Sequence, residues 1–172
     1  MAAQSSPAKS SPAQSSSAKS SAAKPSNAEP VERPSLTLTR RFGAAPEKVY
    51  AAWADPQKLA QWFGPGAVEE GSVKADIDLR VGGRYRISFN AKGTYNEVGG
   101  VYREVVPNRR LVFTWAWHST PERESLVTIS IKPEGSGTLL TFLHEQFADE
   151  TARDNHARGW TELLGKLESY LA

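Results

Sequence analysis

The 172-residue sequence contains no cysteine and only three histidines, His118, His144 and His156. Without cysteine the chain can form no disulfide bond, thiolate nucleophile or cysteine-based zinc site. No two of the histidines are three or four residues apart, so a metal site would have to be assembled from distant parts of the chain. We therefore predict no metal ion and no other cofactor.

Long apolar runs are missing as well. The sequence has neither the hydrophobic core of a secretory signal peptide nor a stretch long enough to span a bilayer. Together with the lack of cysteine, this pattern predicts a cytoplasmic protein without a membrane span.

Two motifs that would indicate enzymatic chemistry are also absent. No serine stands in a Gly-x-Ser-x-Gly context, and Gly82-Gly83 lacks the spacing of a nucleotide-binding loop. We therefore assign no catalytic residue, and an enzymatic reaction stays an open alternative.

The first 34 residues lack aromatic side chains and are rich in small and polar ones, with ten Ser, eight Ala and five Pro. Such a composition cannot bury enough apolar surface to offset the entropy lost when a chain is ordered. The sequence thus predicts a disordered low-complexity tail at residues 1–34 and one folded domain at residues 35–172.

Charge divides in the same way. Residues 1–34 carry four basic and two acidic side chains, which is the whole net charge of +2, and residues 35–172 carry 17 of each sign. Nucleic-acid binding requires a local excess of basic side chains, so we do not expect it of the folded domain. Both a monomer and a homodimer remain open.

Aromatic residues are abundant in the folded domain: five Trp, five Tyr and six Phe all lie between Phe42 and Tyr170. Such bulky, rigid side chains either fill an ordinary core or shape a concave apolar site. Both interpretations are open for any single ring.

The hydrophobic pattern predicts the order of the secondary structure. Alternating apolar residues over Leu36–Phe42 predict a first strand, and Pro46 and Asp55-Pro56 are start signals for two short helices. From Val68 to about Leu143 the period is two, which predicts about six antiparallel strands joined by short turns.

The final helix and two glycine pairs complete this interpretation. Asp149 marks the start of a helix of roughly 20 residues, with one apolar stripe from His156 to Leu171. We predict a positive φ at Gly83 in a turn and a β-bulge at Gly99-Gly100.

The ordered motifs of the domain carry a family resemblance. They are Phe42 with Pro46, Val49 and Trp53, Asp55-Pro56, Leu59, Trp62-Phe63-Gly64, residues 78–86, residues 100–107, residues 110–115, residues 137–144, His156, Gly159-Trp160 and residues 163–171. Over residues 36–172 the chain resembles the START-like (SRPBCC, Bet v-type, helix-grip) superfamily, and within it the activator of heat-shock-protein-90 ATPase homologues (AHSA-type). The resemblance implies an α+β helix-grip fold, with a curved antiparallel sheet of about six to seven strands around a long C-terminal helix.

The resemblance also implies a cavity between sheet and helix, which in relatives takes lipids, polyketides or other apolar molecules. We therefore predict that the protein binds a small apolar or amphipathic molecule. The candidate ligand-binding residues are Trp62, Phe89, Phe113, Trp115, Phe142, His144, Trp160 and Leu164. For His144, the alternative is a strand residue satisfied by hydrogen bonds.

Two other functions remain as alternatives. The family name implies a chaperone-associated module that contacts heat-shock protein 90 through a protein surface. The fold also hosts enzymes that resemble polyketide cyclases or hydrolases, which need polar groups pointed into the cavity. A fold alone does not decide between these classes.

Overall fold

The computed structural model describes residues 30–172. The predicted disorder of residues 1–29 lies outside the described residues, and the boundary at residue 34 stays a prediction. Residues 30–35 have no regular secondary structure, and Glu32–Ala172 form one compact unit.

Seven strands and three helices make up the described chain. In order they are β1 (Leu36–Phe42), α1 (Pro46–Ala54), α2 (Pro56–Trp62), β2 (Lys74–Ile77), β3 (Arg84–Ala91), β4 (Thr94–Val106), β5 (Arg110–Trp117), β6 (Ser125–Glu134), β7 (Gly137–Glu145) and α3 (Glu150–Leu171). The strands form one antiparallel sheet in the order β1-β7-β6-β5-β4-β3-β2. The predicted α+β helix-grip architecture is confirmed.

The two short helices begin at the predicted start signals. Pro46 is the first residue of α1, where a missing backbone N–H costs no helical hydrogen bond. Asp55 caps α2, and its Oδ1 accepts hydrogen bonds from the backbone N–H groups of Gln57 at 2.9 Å and Lys58 at 3.3 Å. These bonds satisfy donors that the first turn of a helix leaves free.

Helix α3 supplies the second layer of the core. Asp149 caps it by accepting a 2.7 Å hydrogen bond from the backbone N–H of Ala152. The helix has 22 residues, which corresponds to about 33 Å at 1.5 Å per residue. Its apolar stripe packs into the core: Trp160, Leu163, Leu164 and Leu167 are at most 3% exposed.

The prediction of a positive φ at Gly83 is wrong by one residue. The positive φ, 83°, is at Gly82. Gly83 is required by close approach instead, because a Cβ there would lie 2.0 Å from the carbonyl oxygen of Asp78. The two glycines therefore serve one turn for different physical reasons.

The prediction of a β-bulge at Gly99-Gly100 is also wrong. These residues pair in register with Arg86 and Tyr85 of β3, and the irregularity of β4 lies between Tyr102 and Glu104. Gly100 is excluded from carrying a side chain because its Cβ would meet the backbone of β5. Glycine in this strand marks a close backbone approach, the other common reason for glycine in a sheet.

Candidate functional site

Trp160 of α3 occupies the centre of the aromatic core. Its ring lies 4.3 Å from that of Phe142 and 4.9 Å from that of Trp115, measured between centroids. A cavity of about 20 Å³ remains beside these rings, which is room for about one water molecule. The side chains of the protein thus fill the space between Trp115 and Trp160.

The other predicted ligand-binding residues are core residues around this centre. Trp62 donates its Nε1–H to the carbonyl oxygen of Ala52 at 3.0 Å. Phe89 packs against Phe63, and Phe113 packs against Tyr85, at 6.1 Å and 5.2 Å between centroids. Leu164 is completely buried in the same core.

A larger pocket opens between α3, β5 and the loop that follows α2. We call it the α3–β5 pocket; its lining residues are Phe63, Pro65, Trp115, Trp117, Asn155, His156, Gly159, Trp160 and Leu163. Its volume is about 320 Å³. Trp115 and Trp160 are the two predicted site residues that line it.

A second depression, the polar pocket, adjoins the α3–β5 pocket. Its volume is about 470 Å³, and its lining residues are Trp115, Trp117, Thr120, Arg123, Ser125, Phe147, Ala148, Asp149, Thr151, Ala152, Asn155 and His156. The two pockets share Trp115, Trp117, Asn155 and His156. Apolar surface predominates in both, but the polar pocket has the larger polar share, from Thr120, Arg123, Ser125, Asp149 and Thr151. The four shared side chains lie between the two.

His156 stands at this boundary in a defined protonation state. Its Nδ1 lies 2.7 Å from the carbonyl oxygen of Ala152, to which it must donate. Its Nε2 accepts from the indole Nε1–H of Trp115 at 3.3 Å and of Trp117 at 3.1 Å. Burial lowers the pKa of His156, and the bond to Ala152 opposes this shift in part. The ring is thus a neutral imidazole that carries its proton on Nδ1.

His144 is fully buried and belongs to a second hydrogen-bond network. Its Nδ1 accepts from the Nε1–H of Trp160 at 3.0 Å, and its Nε2 lies 2.7 Å from the Oγ of Ser125. Ser125 Oγ donates in turn to the carbonyl oxygen of Trp115 at 3.2 Å. Burial lowers the pKa of His144 well below its ordinary value, and the nearby His156 lowers it further.

The pair Ser125 and His144 has the spacing of a nucleophile and its base, but the opposite proton arrangement. An indole N–H can only donate, so Trp160 fixes the proton of neutral His144 on Nε2. His144 therefore donates to Ser125 and has no free lone pair there with which to take the hydroxyl proton. These hydrogen bonds join β7 to α3 and to β6, and they do not activate the serine.

One wall of the α3–β5 pocket is fastened to α3. The backbone N–H of Gly66 donates to Oε1 of Glu162 at 2.9 Å, and Nζ of Lys166 donates to the carbonyl oxygen of Gly64. Pro65 lies between these two contacts and lines the pocket. The loop therefore has a fixed position relative to the helix.

Sequence reasoning missed most of the residues that line the α3–β5 pocket. His156, Gly159 and Leu163 recur at the helical spacing of Trp160 and lie on the same side of α3. One signal for this wall of the pocket was present in the sequence, namely Gly159. Glycine inside a helix costs stability, so its presence there often has a packing or functional reason. A Cβ at Gly159 would meet no atom within 4 Å.

Within residues 30–172, no three His, Cys, Asp or Glu side chains come together in a way that could hold a metal ion. In the same part of the chain, no helix combines the length and the apolar character needed to cross a membrane.

Comparison with known proteins identifies the family of this fold. The family model described as "Activator of Hsp90 ATPase homolog 1-like protein" matches residues 43–172. The chain belongs to this family. The AHSA-type, START-like assignment suggested by the ordered motifs is thereby confirmed.

Several solved structures share the architecture. A protein of Chromobacterium violaceum is 30% identical, with a TM-score of 0.69 over 80% of this chain and 96% of that one. An AHSA1 protein of Silicibacter pomeroyi is 31% identical, with a TM-score of 0.67 over 80% of this chain and 97% of that one. CalU16 of Micromonospora echinospora is 27% identical, with a TM-score of 0.62 over 80% and 76% of the two chains. No curated protein matches the sequence.

Proposed function

We propose that this AHSA1-family protein binds a small apolar or amphipathic molecule in the α3–β5 pocket. The observation that carries the proposal is the pocket of about 320 Å³ with walls formed by Phe63, Trp115, Trp117 and Trp160. Ligand sites in proteins start at about 300 Å³ and combine mainly apolar and aromatic walls with a few polar groups. Asn155 and His156 supply the polar groups here.

The site differs in position from the interior cavity that the family resemblance implied. The deep space between sheet and helix is filled by the rings of Trp115, Phe142 and Trp160. A ligand in the α3–β5 pocket therefore contacts the edge of this aromatic cluster and leaves its centre in place. Trp62, Phe89, Phe113, Phe142, His144 and Leu164 would support the walls from behind.

Two glycines of α3 offer a matched test. Both Gly159 and Gly165 have open space where a Cβ would stand, but only Gly159 lines the α3–β5 pocket. We expect Gly159→Leu to fill the pocket and weaken binding of the dye N-phenyl-1-naphthylamine at least tenfold, measured by dye fluorescence and tryptophan emission. Gly165→Leu should bind like the wild type. Equal affinity of the two variants, or no binding by the wild type, would contradict the proposal.

Association with a chaperone is a second candidate, and the description of the matching family is what favours it. Its test is direct binding of the purified protein to heat-shock protein 90, followed by the ATPase rate of the chaperone. Gly159→Leu separates the two candidates, since filling a ligand pocket does not change a protein-binding surface elsewhere. A cyclase- or hydrolase-like reaction is the third hypothesis, and the proton arrangement of Ser125 and His144 argues against a serine nucleophile in it.

A further inference from the structure

Two hydrogen-bond donors compete for one acceptor between the two pockets. The neutral ring of His156 has a single lone pair, on Nε2, because its Nδ1–H is bonded to the carbonyl oxygen of Ala152. The indole N–H groups of Trp115 and Trp117 both point at this lone pair, from 3.3 Å and 3.1 Å. An indole N–H can only donate, and one lone pair cannot fully accept from two donors. One of the two indole N–H groups is therefore always incompletely hydrogen-bonded.

Trp117 is the donor that a ligand can reach. Trp115 is 3% exposed and lies 4.9 Å from Trp160 between ring centroids, so its orientation is fixed by the core. Trp117 is half-buried, at the end of β5, and lines both pockets. A small movement of the Trp117 ring would turn its N–H away from His156 and towards a bound molecule. Trp115 would then be the single donor to His156.

The position of this donor also indicates where a polar atom of the ligand would lie. On one side, Phe63, Pro65 and Leu163 offer apolar contacts. On the other side, Thr120 and Thr151 line the polar pocket. A polar atom is thus favoured at the boundary and an apolar frame within the α3–β5 pocket.

We propose that the ligand is a small, mainly apolar molecule with an oxygen atom, carbonyl or hydroxyl, that accepts a hydrogen bond from Trp117 Nε1–H. This inference rests on the proposed function and names the class of molecule that the pocket takes. Without a ligand, Trp117 Nε1–H shares the lone pair of His156 with Trp115. A ligand oxygen gives Trp117 an acceptor of its own, so the site selects oxygenated molecules over hydrocarbons of equal shape.

Two probes of nearly the same shape separate the hydrogen bond from apolar contact. 2-Acetylnaphthalene has a carbonyl group where 2-isopropenylnaphthalene has a carbon–carbon double bond. Trp117→Phe keeps an aromatic ring at the position but removes the N–H. We expect the ratio of the two affinities, ketone over hydrocarbon, to fall about fivefold to tenfold in Trp117→Phe, the usual effect of one lost hydrogen bond. Using a ratio cancels the different solubilities of the probes and any general loosening of the variant.

Infrared spectroscopy provides an independent measurement. The carbonyl stretch of bound 2-acetylnaphthalene should lie at lower frequency in the wild type than in Trp117→Phe. If the variant loses affinity for both probes equally and the stretch does not change, Trp117 contributes only ring contact, and the inference fails while the proposed function stands. If neither probe binds to the wild type or to Gly165→Leu, both fail.

Discussion

Trp160 and His144 are joined by a hydrogen bond of 3.0 Å from the indole Nε1 to the imidazole Nδ1, with both side chains at most 2% exposed. The bond links α3 to β7 and decides which nitrogen of His144 is protonated. Since the donor cannot become an acceptor, protonation of His144 at Nδ1 would break this bond and place a charge in the core. The pair therefore couples the protonation of one residue to the packing of the helix on the sheet.

The first prediction is a loss of stability in mild acid. The pKa values of His144 and His156 are lowered in the folded protein, chiefly by burial. The unfolded chain, with ordinary histidine pKa values of about 6.5, then binds protons before the folded protein does. Stability should be constant above about pH 6.5 and fall below it by about 1.4 kcal/mol per pH unit for each histidine, until the lowered folded-state pKa of that histidine is reached. Urea unfolding at pH 7.5, 6.0 and 5.0 measures this.

A matched control for this prediction is His118, which is exposed. The variant His118→Asn removes a histidine without touching either buried ring. It should show the same acid dependence as the wild type, and His144→Gln should show a shallower one. A wild-type stability that is unchanged between pH 7.5 and 5.0 would show that neither buried histidine stays neutral.

The second prediction separates the ring of Trp160 from its N–H. Trp160→Ala should cost about 3–5 kcal/mol, as expected for truncation of an aromatic residue in a filled core. Trp160→Phe keeps much of the contact with Phe142 but leaves Nδ1 of buried His144 without its donor, which should cost about 1–3 kcal/mol. Chemical denaturation of both variants measures the difference. A cost below 1 kcal/mol for Trp160→Ala would mean that the core adjusts around an open space.

The third prediction concerns the two glycines of α3. Because a Cβ at either position meets no atom within 4 Å, Gly159→Ala and Gly165→Ala should each raise stability by up to about 1 kcal/mol through helix propensity. Differential scanning calorimetry should show a higher Tm for both. A lower Tm for Gly159→Ala would reveal a close contact at the pocket wall that this conformation does not contain.

The fourth prediction ranks the glycines of the turn before β3. Gly83→Ala should be the more harmful change, because its Cβ would stand 2.0 Å from the carbonyl oxygen of Asp78 and the turn must move. Gly82→Ala adds a Cβ in open space at a φ of 83°, which costs about 1–2 kcal/mol. Thermal unfolding of the two variants gives the order, and the reverse order would contradict the observed turn.

Much of the fold could be predicted from local signals. Asp55 and Asp149 cap helices in the predicted places, and the alternating pattern gives the strands because a half-buried strand has a period of two. In the turn before β3, the positive φ was predicted at Gly83 but lies one residue earlier, at Gly82. Whether a glycine is needed for its φ or for a close neighbour depends on tertiary contacts, which the sequence of Gly82-Gly83 does not contain.

The site was harder to predict than the fold. An aromatic stripe has the same sequence pattern whether its rings pack against each other, as Trp160 and Phe142 do, or surround open space. The sequence therefore identified Trp115 and Trp160 but not Trp117, Gly159 or His156 as pocket residues. The roles of these three depend on side-chain contacts between β5 and α3, which are distant in the chain.

The attachment of the Gly64–Gly66 loop to Glu162 and Lys166 has a consequence for selectivity among ligands. Helix α3 provides one wall of the pocket through Gly159 and Leu163 and, one turn further along, holds the Pro65 wall in place. A shift of the helix along its axis would carry both walls with it, so the width of the mouth would be preserved. The mouth would instead change its alignment with Trp117 on the sheet. Relatives with the same helix but a different residue at the end of β5 are thus expected to accept molecules of the same thickness with differently placed polar atoms.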